Sequence, residues 1–242
     1  MYQTARDIKF REQVLKSLLI TFSGIDGAGK STQIEKLSDY LAAHNIPVRR
    51  MAFWDDVVLF RNARTGFSRK VLQSDGAVGS PERPAQRNDK NTQTFPLLIG
   101  RAILHLLDVL HLRRVVAGIQ NETACGVVIF DRYLYDQLAA LPMKNWLSRA
   151  YAKFMLRIAP RPDISYLIDA VPEVARARKP EYPLDFMRQY RSSYLILRTI
   201  ARLELVPAGD PQDVHHFIVD RLHTTFRGLD PLAPGLSSSV PA

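Results

Sequence analysis

The chain has 242 residues, 46% of them hydrophobic, enough to bury one sizeable core and too apolar for a fibrous or disordered protein. No apolar run approaches the roughly 20 residues of a bilayer span, and Met1 to Lys16 alternates charged with isolated apolar residues, so neither a membrane helix nor a signal peptide is expected. The formal charge of +9 points to anionic partners, while a lone Cys125 and six histidines without ligand spacing point to no disulfide, no structural zinc and a reducing cytoplasmic compartment.

Ser17 to Ser23 is a short apolar run that stops at Gly24, the pattern of a buried parallel strand followed by a turn. A helix is predicted from about Lys30, with Ile34, Leu37 and Leu41 at helical spacing and His44-Asn45 before Pro47 as its stop. Val48 to Phe53 reads as a second strand. From Trp54 to about Pro96 the periodicity dissolves, and Arg61, Arg64, Arg69, Lys70, Arg83, Arg87 and Lys90 outnumber Asp75, Glu82 and Asp89. Such a stretch is either a functional or mobile insertion or a solvated basic loop.

Helical spacing returns from Leu97 to about Glu122. Val127 to Phe130 then forms a buried strand ending at Asp131-Arg132, and Trp146 to Ile158 a further helix. The turn signal Pro160-Arg161-Pro162-Asp163 precedes another strand, Ile164 to Ile168, which ends at Asp169. Pro183 to Glu204 is a long helical pattern, and Leu205-Val206 a short last strand. Asp210 as N-cap with Pro211 in the first turn opens a final helix that ends near Gly228. The Pro, Ser and Gly-rich residues 229–242 read as a disordered tail. Strands alternating with helices predict one α/β domain, a parallel sheet with helices on both faces and a ligand site at the carboxyl ends of the strands.

Gly24-Ile25-Asp26-Gly27-Ala28-Gly29-Lys30-Ser31 fits the phosphate-binding P-loop pattern and lies between a buried strand and a helix start, where the mechanism needs it. Its glycines let successive N–H groups turn toward phosphates, and the helix N-terminus adds partial positive charge. Lys30 is expected to reach the β- and γ-phosphates, and Ser31 to offer its hydroxyl to Mg²⁺. Val127 to Asp131 is similar to a Walker B strand, whose terminal acid holds the metal directly or through water; Arg132 beside it can grip phosphate by a bidentate fork.

These residues carry a resemblance. Phe22 through Gln33, including Asp26 within the loop and Thr32-Gln33 after it, resembles the P-loop of thymidylate kinases. Asp131-Arg132-Tyr133 is similar to that family's Asp-Arg-Tyr motif, and Pro162-Asp163 through Asp169, with Pro172 and Arg178, resembles its next strand and the start of its lid. Leu97-Leu98, Arg101-Ala102 and His105 are similar to its base-reading helix. The resemblance runs in order over roughly residues 18 to 225. It implies an α/β P-loop NTPase fold of the nucleoside monophosphate kinase kind, with a parallel five-stranded sheet and Mg-ATP as phosphoryl donor. In domain terms it implies an N-terminal extension 1–17, a kinase domain 18–228 with the basic insertion 55–96 and a short lid 176–184, and a tail 229–242.

By matching position, the resemblance implies that the backbone from Gly24 to Thr32 (Gly24, Asp26, Gly27, Ala28, Gly29, Lys30, Ser31, Thr32) binds the nucleotide, with Ser31 and Asp131 on the metal. Asp26, Arg101 and Arg132 would bind the acceptor, and Asp136, which stands where the family has Ser or Asn, is a further candidate for that side of the site. Because the loop carries no arginine at its variable positions, the positive charge that stabilises the transferring group is expected from Arg176, Arg178 and Lys179 in the lid; the expected catalytic residues are then Lys30, Asp131, Arg132, Arg176 and Arg178. Departures stand where the family has Arg-Glu-Pro, here Phe53-Trp54-Asp55-Asp56, and where it has Ala-Tyr, here Ala139-Ala140. They leave the acceptor open.

Three activities fit these residues. The first is an ATP-dependent kinase acting on a nucleoside monophosphate or a similar small phosphate acceptor, which needs no general base. The second is a nucleoside kinase using Asp55 or Asp56 as base. The third is a non-catalytic nucleotide-binding protein that engages nucleic acid or a protein through its basic loop. The resemblance also admits a homodimer through Leu104, Leu107 and Leu110, which a buried core face would explain equally well.

Overall fold

The computed structural model describes residues 17–59, 95–122 and 126–225, with the side chains of residues 95–99 and 101 outside the description. Apolar runs closed by Gly or Asp make the strands β1 (Leu18–Ser23), β3 (Val127–Asp131) and β4 (Ile164–Ile168), and the more polar β2 (Val48–Ala52) and the short β5 (Glu204–Val206) flank them. They form one five-stranded sheet in the order β2-β3-β1-β4-β5, with every pairing parallel. β1 is central, with Leu18 opposite Val127 on one side and Ile20 opposite Ile164 on the other. Its near-continuous burial is what a strand covered on both faces requires. The edges are protected differently: β2 exposes Arg49 and Arg50, and β5 is only 3 residues long.

The helices are α1 (Lys30–Ala43), α2 (Phe95–Gln120), α3 (Leu134–Ala139), α4 (Trp146–Ile158), α5 (Pro172–Arg178), α6 (Leu184–Ala201) and α7 (Pro211–Thr225). They gather in two groups: α1 packs on α7, while α3, α4 and α5 pack on α6, and α2 on α4. Ile34, Leu37 and Leu41, the stripe at helical spacing, are all buried. The Gln33 amide donates to the Pro211 carbonyl at 2.9 Å, joining the phosphate-loop helix to the start of α7. Asp210 caps that helix as its sequence suggests, accepting the Gln212 N–H at 2.8 Å.

Several boundaries differ from expectation. β2 stops at Ala52 because Phe53–Val57 forms one π-helical turn that buries Phe53 and Val57 and leaves Trp54, Asp55 and Asp56 exposed. The Asp56 carboxylate closes that turn by accepting the Ala52 N–H at 2.7 Å. The long helix ends at Ala201 rather than Glu204, since Arg202 adopts a left-handed conformation (φ 43°) and releases the chain into β5. α3 and α5 are short helices absent from the periodicity. Leu107 and Leu110 are exposed rather than part of a core face. The stretch 1–16, residues 60–94 with the basic side chains, Cys125, the helix end near Gly228 and the tail lie outside the described residues. Among the described residues no helix is long and apolar enough to cross a membrane.

Candidate active site

Three parallel strands deliver their carboxyl ends to one place, and each carries a chemical group there: the glycine loop after β1, Asp131-Arg132 after β3 and Asp169 after β4. The loop is tightly fitted. Gly24 (φ 144°) lies so close to β4 that a Cβ would sit 2.4 Å from the Ile168 carbonyl oxygen. At Gly27 (φ 81°) a Cβ would sit 2.2 Å from the carbonyl oxygen of Ala175 on α5. Gly29 (φ 96°) has open space and serves as the left-handed residue before α1. Ile25 and Ala28 are buried, whereas Ser31 and Thr32 are exposed in the first turn of α1.

Lys30, 7% exposed, donates from its ammonium to the carbonyls of Gly24 and Ile25 at 2.9 Å each. Burial, reinforced by the nearby Arg132 charge, lowers its pKa to about 8 against the opposing pull of Asp26, Asp136 and Asp131. Asp26 pairs with Arg132 Nη2. Burial alone would raise the Asp26 carboxyl, but Arg132, Lys30 and Lys179 together bring it below its ordinary value.

Arg132 itself has a left-handed backbone (φ 67°), an uncommon state for a residue with a side chain. Its N–H donates to the Phe22 carbonyl at 2.9 Å, and Nη1 meets Asp136 at 3.3 Å. Burial opposes its charge, yet Asp136 and Asp26 overbalance that and hold the guanidinium still more firmly protonated than usual. Asp131 presents a buried Oδ1 with no hydrogen-bond partner among the described residues, which a cation would satisfy.

The structure therefore brings Asp26, Lys30, Asp131, Arg132 and Lys179 together. Arg176 lies half-buried on α5 with a buried Nε that lacks a partner among the described residues, and Arg178 is exposed at the end of that helix. Lys179 also contacts Glu181 at 3.2 Å. Arg101 falls on α2, but its side chain lies outside the described residues. Asp136, expected to face the acceptor, is instead 0% exposed. Both of its carboxylate oxygens are engaged by protein donors.

Sequence reasoning missed two features. Asp169 is gripped bidentately by Arg191 at 2.6 and 2.7 Å, and next to that pair Glu173 on α5 holds Arg188 on α6 at 2.6 Å. The second is an aromatic column on α6 and the turn before it, Tyr182, Phe186, Tyr190 and Tyr194, with ring centroids 5.3, 5.5 and 4.9 Å apart. Its four-residue spacing was the signal that could have found it.

No family model matches the chain. Individual proteins do. It is 26% identical over 185 residues to a probable thymidylate kinase of Archaeoglobus fulgidus, covering 74% of this chain and 81% of that one. It is 27% identical over 233 residues to the thymidylate kinase of Chlorobium limicola, covering 86% and 96% respectively. To the thymidylate kinase of Ruegeria pomeroyi it is 30% identical over 167 residues, 66% of this chain and 67% of that protein. The chain belongs to the thymidylate kinase family. Its parallel five-stranded sheet is the P-loop kinase fold of that family. The family makes it a phosphotransferase of the nucleoside monophosphate kinase type, not a non-catalytic binding protein.

Proposed function

We propose that this member of the thymidylate kinase family transfers the γ-phosphoryl group of Mg-ATP to the phosphate of a nucleoside monophosphate or a similarly small phosphate acceptor. The observation that carries the reading is the convergence of Lys30 and Arg132, with Lys179 close by, around Asp26 at the tip of the central strand. A phosphate acceptor is already an anionic nucleophile, so no base is needed and the protein supplies position and charge. An acceptor oxygen forms the new bond to phosphorus as the bond from phosphorus to the β,γ-bridging oxygen breaks, and ADP leaves with that electron pair.

Within this reading, the backbone from Gly24 to Thr32 cradles the donor phosphates, and Lys30 exchanges its loop carbonyls for phosphate oxygens. Ser31 and the orphaned Asp131 oxygen fit a magnesium ion, which supplies charge neutralisation between the phosphates when bound. Arg132 takes the acceptor phosphate. Asp26 faces the sugar, Arg176 and Arg178 steady the transferring group, and Arg101 keeps the base-reading role that the family resemblance implies. The commitment of the Asp56 carboxylate to the Ala52 N–H argues against that residue as a base for a hydroxyl acceptor. The exposed Leu107 and Leu110 of α2, with Trp146 and Phe154 on α4, would suit a second copy of the chain.

The test is an ADP-release assay with Mg-ATP against a panel of nucleosides, nucleoside monophosphates, dTMP among them, and sugar phosphates. Turnover is expected with a monophosphate. Turnover with nucleosides alone, accompanied by a large loss in Asp55→Asn, would replace the reading with a hydroxyl kinase.

A pH dependence follows from Lys30. In the absence of nucleotide its pKa is about 8, and a bound triphosphate restores the ammonium by attraction. Above pH 8 binding must therefore take up a proton, so affinity falls as pH rises, by up to about tenfold per unit. Calorimetry in buffers of different ionisation enthalpy at pH 7 and pH 9 measures this. Equal affinity and no proton uptake at pH 9 would show that Lys30 does not meet the phosphates.

A further inference from the structure

Asp136 gathers donors from separate parts of the chain. Its Oδ2 accepts the Ser23 hydroxyl at 2.7 Å and the Tyr133 N–H at 3.1 Å. Its Oδ1 accepts the Tyr194 hydroxyl at 2.7 Å and Arg132 Nη1 at 3.3 Å. Its backbone carbonyl accepts the Tyr190 hydroxyl at 2.7 Å. The carboxylate is thus fixed to the end of β1, to the start of α3 and to α6, and it is wholly buried. A buried charge so placed is tolerable only when paired and hydrogen-bonded, and Arg132 is its cationic partner.

The two ends of the Arg132 guanidinium differ in consequence. Nη1 meets the inaccessible Asp136, whereas Nη2 meets Asp26, whose side chain is 14% exposed at the mouth of the loop. We propose that Asp136, braced by Tyr194, is a positioning residue: it anchors the Nη1 end of Arg132 so that the Nη2 end can exchange Asp26 for the acceptor's phosphate without the arginine moving. This rests on the reading of Arg132 as the phosphate-holding residue. Without the anchor, the side chain would have to be ordered at each binding event, which weakens acceptor binding. The left-handed backbone at Arg132 adds to the constraint, since it sets where the side chain leaves the main chain.

The test uses the full chain and its Asp136→Asn, Tyr194→Phe and Arg132→Lys variants. Nitrogen NMR of the arginine side chains, with Arg132→Lys giving the assignment, reads the anchor without any substrate. Slow guanidinium rotation is expected in the unaltered protein and fast rotation in Asp136→Asn. In steady state, Asp136→Asn raises the acceptor KM about tenfold or more, leaves the KM for ATP nearly unchanged, and adds little in the Arg132→Lys background. Tyr194→Phe shifts both readouts the same way by less, and decides the matter should Asp136→Asn not fold. Unaltered rotation in these variants, or an equal loss when Asp136→Asn is combined with Arg132→Lys, would overturn the proposal. If no acceptor is found, the functional reading fails while the rotation experiment still decides the anchor.

Discussion

Replacing Lys30 by Ala lowers phosphoryl transfer by roughly a thousandfold, the scale on which a preorganised group facing developing charge acts. No other described cation occupies its place within the loop, where its ammonium holds two carbonyls at 2.9 Å. Arg132 cannot substitute, because Asp136 holds one end of its guanidinium and the other is given to the acceptor phosphate. Stability responds much less. The substitution strips two carbonyls of a donor, but it also relieves the burial of a charge whose pKa has fallen to about 8. These effects oppose one another, and the melting temperature is expected to move by only a few degrees. Single-turnover kinetics alongside thermal melting separates the two. A variant turning over within tenfold of the unaltered protein would remove the lysine from the mechanism.

Gly27→Ala is the second large effect, and it acts through shape rather than charge. An L-residue at φ 81° is strained, by about 1–2 kcal/mol. In addition the new Cβ would sit 2.2 Å from the Ala175 carbonyl oxygen, a backbone atom that can yield only if α5 moves. Triphosphate affinity is expected to drop about a hundredfold, with a fall of several degrees in melting temperature. Gly29→Ala is the matched control, since it is also left-handed (φ 96°) but has nothing within 4 Å of its Cβ. It should bear the conformational cost alone. Equal losses in the two variants, read by calorimetry with Mg-ATP, would mean that the contact with α5 does not matter.

The parts of this protein legible in its sequence are those written locally. A buried strand, a run of glycines and a capped helix start each occupy a few consecutive residues, so the loop from Gly24 to Ser31, the strand ending at Asp131 and the Asp210 cap could be read directly. The short helices α3 and α5 could not, because segments of 6 and 7 residues form only through packing against the rest of the protein. The π turn after β2 depends on one carboxylate reaching back 4 residues, which no apolar period records. Asp136 stands out in the sequence as a departure from the family after Asp131-Arg132-Tyr133, yet its environment is illegible there. Its hydroxyl partners Ser23 and Tyr194 stand 113 and 58 residues away, and only the fold discloses that it faces inward. Arg191, which holds Asp169 from 22 residues away, escaped for the same reason.

The sheet order has a kinetic corollary. The strand that bears the glycine loop is made before both of its partners, β3 and β4, so Leu18 waits for Val127 and Ile20 for Ile164. Parallel pairings between such distant segments must meet the loop-closure entropy before any contact is gained, which makes them intrinsically slow. Nascent chains that end before Ile164 would leave one edge of β1 without its neighbour. Acquisition of nucleotide affinity during refolding should therefore trail the appearance of helix, and a ligand present from the start would trap the finished sheet rather than hasten its assembly.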